Sequence, residues 1–102
     1  MLERIIMKRN LKFTFRANFD TIIAYEFYES RRQNLGERFL YELENCYKSI
    51  ILNYTTYKVV HKIYRQAVVR KFPFVVLYSV DENDIIITAV FNTRKNPNKK
   101  FK

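Results

Sequence analysis

With 102 residues, 48% of them hydrophobic and 17% aromatic, the chain can bury a core as one domain without a disulfide or metal staple. One glycine and two prolines leave little room for long irregular loops. Nineteen Lys and Arg against ten Asp and Glu give a net charge of +9, so polyanions or acidic proteins are the expected partners; no run approaches the ~18 apolar residues of a membrane span, and no membrane partner is expected.

The opening MLERIIMKRN is too short and too charged for a secretory signal. Met7, followed by Lys8 and Arg9, is a second candidate start, so residues 1–9 are expected to add little to the fold. In residues 10–16, Leu11, Phe13 and Phe15 alternate with Lys12, Thr14 and Arg16, the pattern of a half-buried first strand. Asn18 or Asp20 then offers a helix cap. Phe19, Ile22, Ile23 and Phe27 follow at helical spacing, with Ala24 beside them, small enough to admit a close neighbour. Arg31 and Arg32 fall near the C-terminal end, where the helix dipole favours cations.

A tight turn at residues 34–36 leads into a second helix, on which Phe39, Leu43, Cys46 and Ile50 form one stripe. Leu40, Tyr47 and Ile51 widen it. So short a link makes a helical hairpin, whose apolar stripes are expected to face a sheet. Cys46, the only cysteine, rules out an internal disulfide, suits a reducing cytoplasm, and reads as a small core residue within an apolar stripe.

Residues 59–71 carry β-branched and aromatic residues among cations, and most of this stretch reads as strand. Pro73 marks the start of the next strand, where its missing N–H does least harm. FVVLYSV and IIITAVF are nearly continuous apolar runs, as expected of strands at the sheet centre, and DEND is the turn between them. If Val80 faces Ile85, counting back puts Lys71 opposite Arg94, so two basic clusters become neighbours at one end of this hairpin. The closing NTRKNPNKKFK is polar and basic, with residues 98–102 as a tail. The order β-α-α-β-β-β describes an α+β domain: a helical hairpin packed on one face of a small, mostly antiparallel sheet. The other face is expected to carry most of the cations and the function.

Several strings carry a family resemblance: AYEFYE (residues 24–29), LGERFLYELE (residues 35–44) and YRQAVVRKFPFVVLYSVDENDIIITAVFNTRKNP (residues 64–97). Their order and spacing resemble the RelE/ParE superfamily of toxins from type II toxin–antitoxin systems, closest to the ParE-like branch. The chain departs from many relatives in having Asn92 where they carry histidine, Gln66 where a second arginine is frequent, and Lys95, preceded by Arg94, where their last arginine falls. Lysine keeps the charge but lacks the planar fork, and asparagine cannot shuttle a proton.

The ParE-like resemblance implies a plasmid-stabilising toxin that inhibits DNA gyrase by binding it. The RelE-like alternative implies an endonuclease that cuts messenger RNA on the ribosome. A third reading is a basic domain that binds nucleic acid directly. Target or antitoxin contacts would fall on Arg65, Arg70, Lys71, Asn92, Arg94 and Lys95, and Arg65, Arg70 and Arg94 are the candidates for any catalysis. RNA cleavage also needs a general acid and base. His61 lies too early in its strand and reads as an exposed edge residue, while Tyr57, Tyr64 and Tyr78 read as core or stacking residues. The catalytic set is incomplete, which favours binding over bond-breaking. No metal or cofactor is expected. The resemblance further implies an antitoxin that lays an acidic or amphipathic segment over the toxin, as well as a homodimer or a toxin–antitoxin heterotetramer. A groove beside the helical hairpin, with Tyr25, Tyr28, Tyr41 and Phe101, is the expected receiving surface.

Overall fold

Thr14 decides where the first strand stops. In the computed structural model, which describes residues 9–95 and 97–101, strand β1 (Asn10–Phe13) turns directly into helix α1 (Phe15–Arg31). The Thr14 hydroxyl accepts from the Ala17 N–H at 3.1 Å and donates to the Thr88 carbonyl at 3.0 Å. The cap expected at Asn18 or Asp20 is therefore four to six residues too late: both lie inside α1. The expectation for residues 1–8 lies outside the described residues.

Helix α2 (Leu35–Asn53) follows a short turn. The Glu29 carboxylate accepts from the Asn34 and Gly36 N–H groups, both at 2.9 Å, while Asn34 adopts a left-handed φ of 69°. Gly36 is needed at the crossing, because a Cβ there would meet the Tyr25 ring and carbonyl at 2.8 Å. The α2 stripe of Phe39, Leu43, Cys46 and Ile50 is buried as expected. The α1 stripe is not. Phe19, Ile22, Ile23 and Phe27 remain exposed, and α1 buries Ala17 and Ala24 instead. Small side chains allow the helix to lie close to its neighbours, and that contact turns the large ones outward.

The stretch expected as one long strand is a hairpin of β2 (Val59–His61) and β3 (Tyr64–Val68). His61 pairs with Tyr64 across a two-residue turn in which Lys62 takes a φ of 51°. Strands β4 (Phe74–Val80) and β5 (Asp84–Asn92) complete a five-stranded sheet in the order β1-β5-β4-β3-β2. Among the described residues, only β1 runs parallel to its neighbour. Val80 faces Ile85, as the sequence predicts, but the register slips between Leu77↔Ala89 and Tyr78↔Ile87. Thr88 is the extra residue of this bulge, and its hydroxyl donates to the Leu77 carbonyl at 3.1 Å. Phe74 therefore pairs with Asn92, and the expected juxtaposition of Lys71 with Arg94 moves by one residue.

The main core lies between the helices and the sheet, with Phe39, Ile50, Val76, Tyr78, Ile85 and Ile87 sealed inside. The buried Tyr78 hydroxyl donates to the Tyr54 carbonyl at 2.8 Å, and burial pushes its pKa up to about 12. The opposite sheet face, expected to be rich in cations, holds a second apolar cluster of Val75, Leu77, Ala89 and Phe91. The tail folds back toward this side through a 3₁₀ turn, Pro97–Lys99. Arg16 donates to the Lys100 and Lys99 carbonyls, the Lys100 ammonium bonds the Gln66 side chain, and Phe101 stacks on His61 at 4.4 Å. Among the described residues, no helix is long and apolar enough to cross a membrane.

Candidate functional site

The open end of the β4–β5 hairpin is closed by backbone hydrogen bonds that hold four cations there. Thr93 N–H donates to the Pro73 carbonyl at 2.8 Å, which ties the end of β5 to the start of β4. Asn92 then builds the turn that follows. Its side-chain oxygen accepts from Arg94 N–H at 2.9 Å and its carbonyl accepts from Lys95 N–H at 3.0 Å. On the other side, Val69 N–H donates to the Phe74 carbonyl at 2.9 Å and closes a turn in which Lys71 takes a φ of 70°. Arg70, Lys71, Arg94 and Lys95 are thus brought to one end of the sheet, and all four are exposed. The ion pairs found among the described residues, Lys12–Asp84 and Arg16–Asp20, do not involve them. Clustered like charges without a carboxylate attract an anion.

Aromatic packing stiffens the ground beneath this cluster. Phe72 lies 4.9 Å from the Tyr28 ring and 5.3 Å from Phe39. Burial raises the pKa of the Tyr28 hydroxyl, and the positive charge of Arg94 partly offsets that rise, which places Arg94 within electrostatic reach of this ring.

Arg65 does not join the cluster. It lies on the helix side of β3, two residues from buried Ala67, and donates to the Thr55 and Tyr57 carbonyls at 3.2 and 2.6 Å. It braces the connection between α2 and β2. Gln66 points to the other face, where Lys100 engages it. His61 and Tyr64 meet Phe101 rather than the cations. Tyr57 shares a hydrogen bond with Ser49 and stands edge-on to Tyr78. Cys46 is buried and its thiol is pushed up to about 11 by desolvation, as befits a core residue.

The four aromatics expected to line one groove are dispersed. Tyr25 donates to Glu37 at 3.1 Å, Tyr28 packs into the core, Tyr41 is exposed on α2, and Phe101 sits against β2 and β3. A shallow groove does lie between the helices, at Phe13, Thr21, Leu40, Tyr41 and Tyr47. A second groove, of about 420 Å³, runs along the far side of α1. Its walls are Phe19, Ile23 and Phe27 on one side and Phe74, Val90 and Phe91 on the other. Arg16, Asn92, Lys95 and Lys99 stand at its polar margin. The sequence held a signal for it: Ala17, Ala24 and Tyr28 form a second stripe on α1, and burying that stripe exposes the larger one.

No family model matches the chain, and no curated protein matches it. Solved structures do. One is a chain of the chromosomal ParDE toxin–antitoxin system from P. aeruginosa, 18% identical, with a TM-score of 0.64 over 83% of this chain and 96% of that one. At that identity the likeness is one of fold alone: this chain shares its fold with a chain of that ParDE system.

Proposed function

From a ParE-like toxin fold, we propose that this chain is the toxin of a type II toxin–antitoxin pair, acts in the cytoplasm, and inhibits DNA gyrase by binding rather than by cutting a covalent bond. One observation carries the reading: Arg70, Lys71, Arg94 and Lys95 are exposed at one end of a rigid hairpin, and among the described residues no carboxylate is paired with them. Such a surface grips phosphates or acidic side chains through charge and shape. Messenger-RNA cleavage would need a general acid and base beside it. The sole histidine stacks on Phe101, and the Asn92 side-chain oxygen is committed to the turn. An acidic antitoxin that covers these cations would neutralise the protein.

The purified chain is expected to block supercoiling by gyrase and to produce gyrase-dependent DNA breaks. Arg94→Glu combined with Lys95→Glu should relieve both effects. No effect of the unaltered chain at stoichiometric excess would overturn the proposal. Transcripts on translating ribosomes are expected to stay intact, and codon-register cuts would favour the endonuclease reading instead.

A further inference from the structure

The outer face of the sheet looks away from the helices, yet Val75, Leu77, Ala89 and Phe91 on it are buried. Val60 packs against this cluster, and the helical layer cannot cover it from the opposite side. Three contacts place the tail there. Arg16, at the start of α1, donates to the Lys100 carbonyl at 2.9 Å and to the Lys99 carbonyl at 3.0 Å. Its Nε lies 3.6 Å from the Asp20 carboxylate, which in turn accepts from Val90 N–H on β5. The Lys100 ammonium donates to the Gln66 side-chain oxygen on β3. Phe101 stacks on His61 of β2 with ring centroids 4.4 Å apart and stands 5.9 Å from Tyr64. In the sheet order β1-β5-β4-β3-β2, these anchors fall on either side of β4. The tail thus crosses the strands that carry the buried cluster.

We propose that residues 97–101 form a strap over the outer sheet face, fastened by Arg16 at one end and by the His61–Phe101 stack at the other, and able to open while the core stays folded. The two fastenings differ in kind. Arg16 grips backbone carbonyls through charge-assisted hydrogen bonds, and Asp20 steadies its guanidinium. The far end rests on two rings at the surface, with His61 exposed and Phe101 36% exposed. Among the described residues no strand pairs with the tail, so opening breaks few contacts and is a local event. Charge works toward release. Lys99 and Lys100 belong to a chain of net charge +9, and among the described residues neither has a carboxylate paired to it. An open strap bares the four apolar residues beneath it, so its state decides whether the outer face is sealed or can be touched. The device is independent of what the toxin binds.

The test is limited trypsin digestion of the full chain, read by intact mass. Lys99 supplies the cleavage site in the tail, and Lys48, exposed within α2, reports unfolding of the core. A synthetic peptide of residues 94–102 gives the rate for an open tail. Cleavage after Lys99 in the unaltered chain should be slower than in the peptide by about a hundredfold or more. Arg16→Gln and His61→Ala each undo one fastening and leave the tail's own sequence intact. The first should speed this cut by about tenfold or more and the second by about threefold or more. Both together should approach the rate of the peptide. Arg38→Gln, on α2, should leave it within about twofold. A dye that brightens on apolar surface should brighten severalfold on the double variant. His61 is exposed, so His61→Ala carries the test alone if Arg16→Gln does not fold. The proposal is overturned if the unaltered tail is cut as fast as the peptide, or if His61→Ala leaves the rate unchanged. It is overturned equally if cleavage after Lys48 rises in step with cleavage after Lys99, or if the dye does not respond.

Discussion

The two helices of the hairpin carry the same kind of apolar stripe and put it to opposite uses. On α2, Phe39 and Ile50 are 0% exposed; on α1, Phe19, Ile22, Ile23 and Phe27 are 49–55% exposed. The difference lies in what each helix meets. The broad face of α2 covers the sheet with large side chains. Helix α1 runs beside β5 and is fixed by contacts that need small or polar groups: Ala17, Ala24, the Thr14 cap and the Asp20 carboxylate. Its large residues are left over. Helical spacing shows that a stripe exists, whereas the size of the residues on the competing face decides which stripe is buried. Exposed apolar stripes of this extent are, as a general rule, where proteins meet partners.

The widest separation between the helices should appear on truncation. Phe39→Ala is expected to cost about 3–5 kcal/mol of stability, while Phe19→Ala or Ile22→Ala should cost less than about 1 kcal/mol. Denaturant midpoints at constant slope would measure this. If Phe19→Ala proved as costly as Phe39→Ala, the stripe would be part of the core and the contrast would collapse.

The next largest effect contrasts two arginines that the sequence placed in one group. Arg65→Ala removes two charge-assisted hydrogen bonds to the Thr55 and Tyr57 carbonyls and should cost about 1.5–3 kcal/mol. Arg94→Ala should change stability by less than about 0.5 kcal/mol yet weaken gyrase inhibition. Equal losses of stability would mean that both are structural. Gly36→Ala then probes the helix crossing itself. Its methyl group would meet the Tyr25 carbonyl as well as the ring at 2.8 Å, so rotating the side chain gives no escape, and a loss of about 1–3 kcal/mol is expected.

What the sequence disclosed and what it withheld divide along the same physical line. Helix α2, the two long strands, their acidic turn and the Val80↔Ile85 pairing all rest on local patterns, and all are present. The gathering of Arg70, Lys71, Arg94 and Lys95 followed from antiparallel pairing alone. The misses depend on distant partners or on rare backbone states. Thr14 reads as a polar strand residue until Ile87 and Thr88 are beside it to receive the chain. The Thr88 bulge is marked by no glycine or proline, and Thr88 reads as an ordinary β-branched strand residue in a nearly continuous apolar run. The turn after His61 contains no glycine, and Lys62 supplies the positive φ that would have announced it. Strand pairing alone leaves open whether Arg65 joins the cluster, and carbonyls eight and ten residues away hold it elsewhere.

The smallest expected effect belongs to Asp20, the one carboxylate among the margin residues of the α1 groove. Burial raises its pKa above the ordinary 3.8, although the Val90 N–H and the Arg16 charge oppose the rise. The folded chain therefore holds this proton more tightly than the unfolded chain. The contribution of Asp20 to stability is fully present below the ordinary value and declines as pH rises through the raised one. Asp20→Asn keeps an oxygen to accept from Val90 N–H but cannot titrate. Unfolding midpoints compared from about pH 3 to about pH 6 should show the unaltered chain losing ground to this variant as pH increases. A gap that stays flat, or that opens in the other direction, would mean that the hydrogen bond and Arg16 outweigh burial. The groove would then already hold a satisfied carboxylate, and its cationic margin would be partly neutralised before any partner arrived.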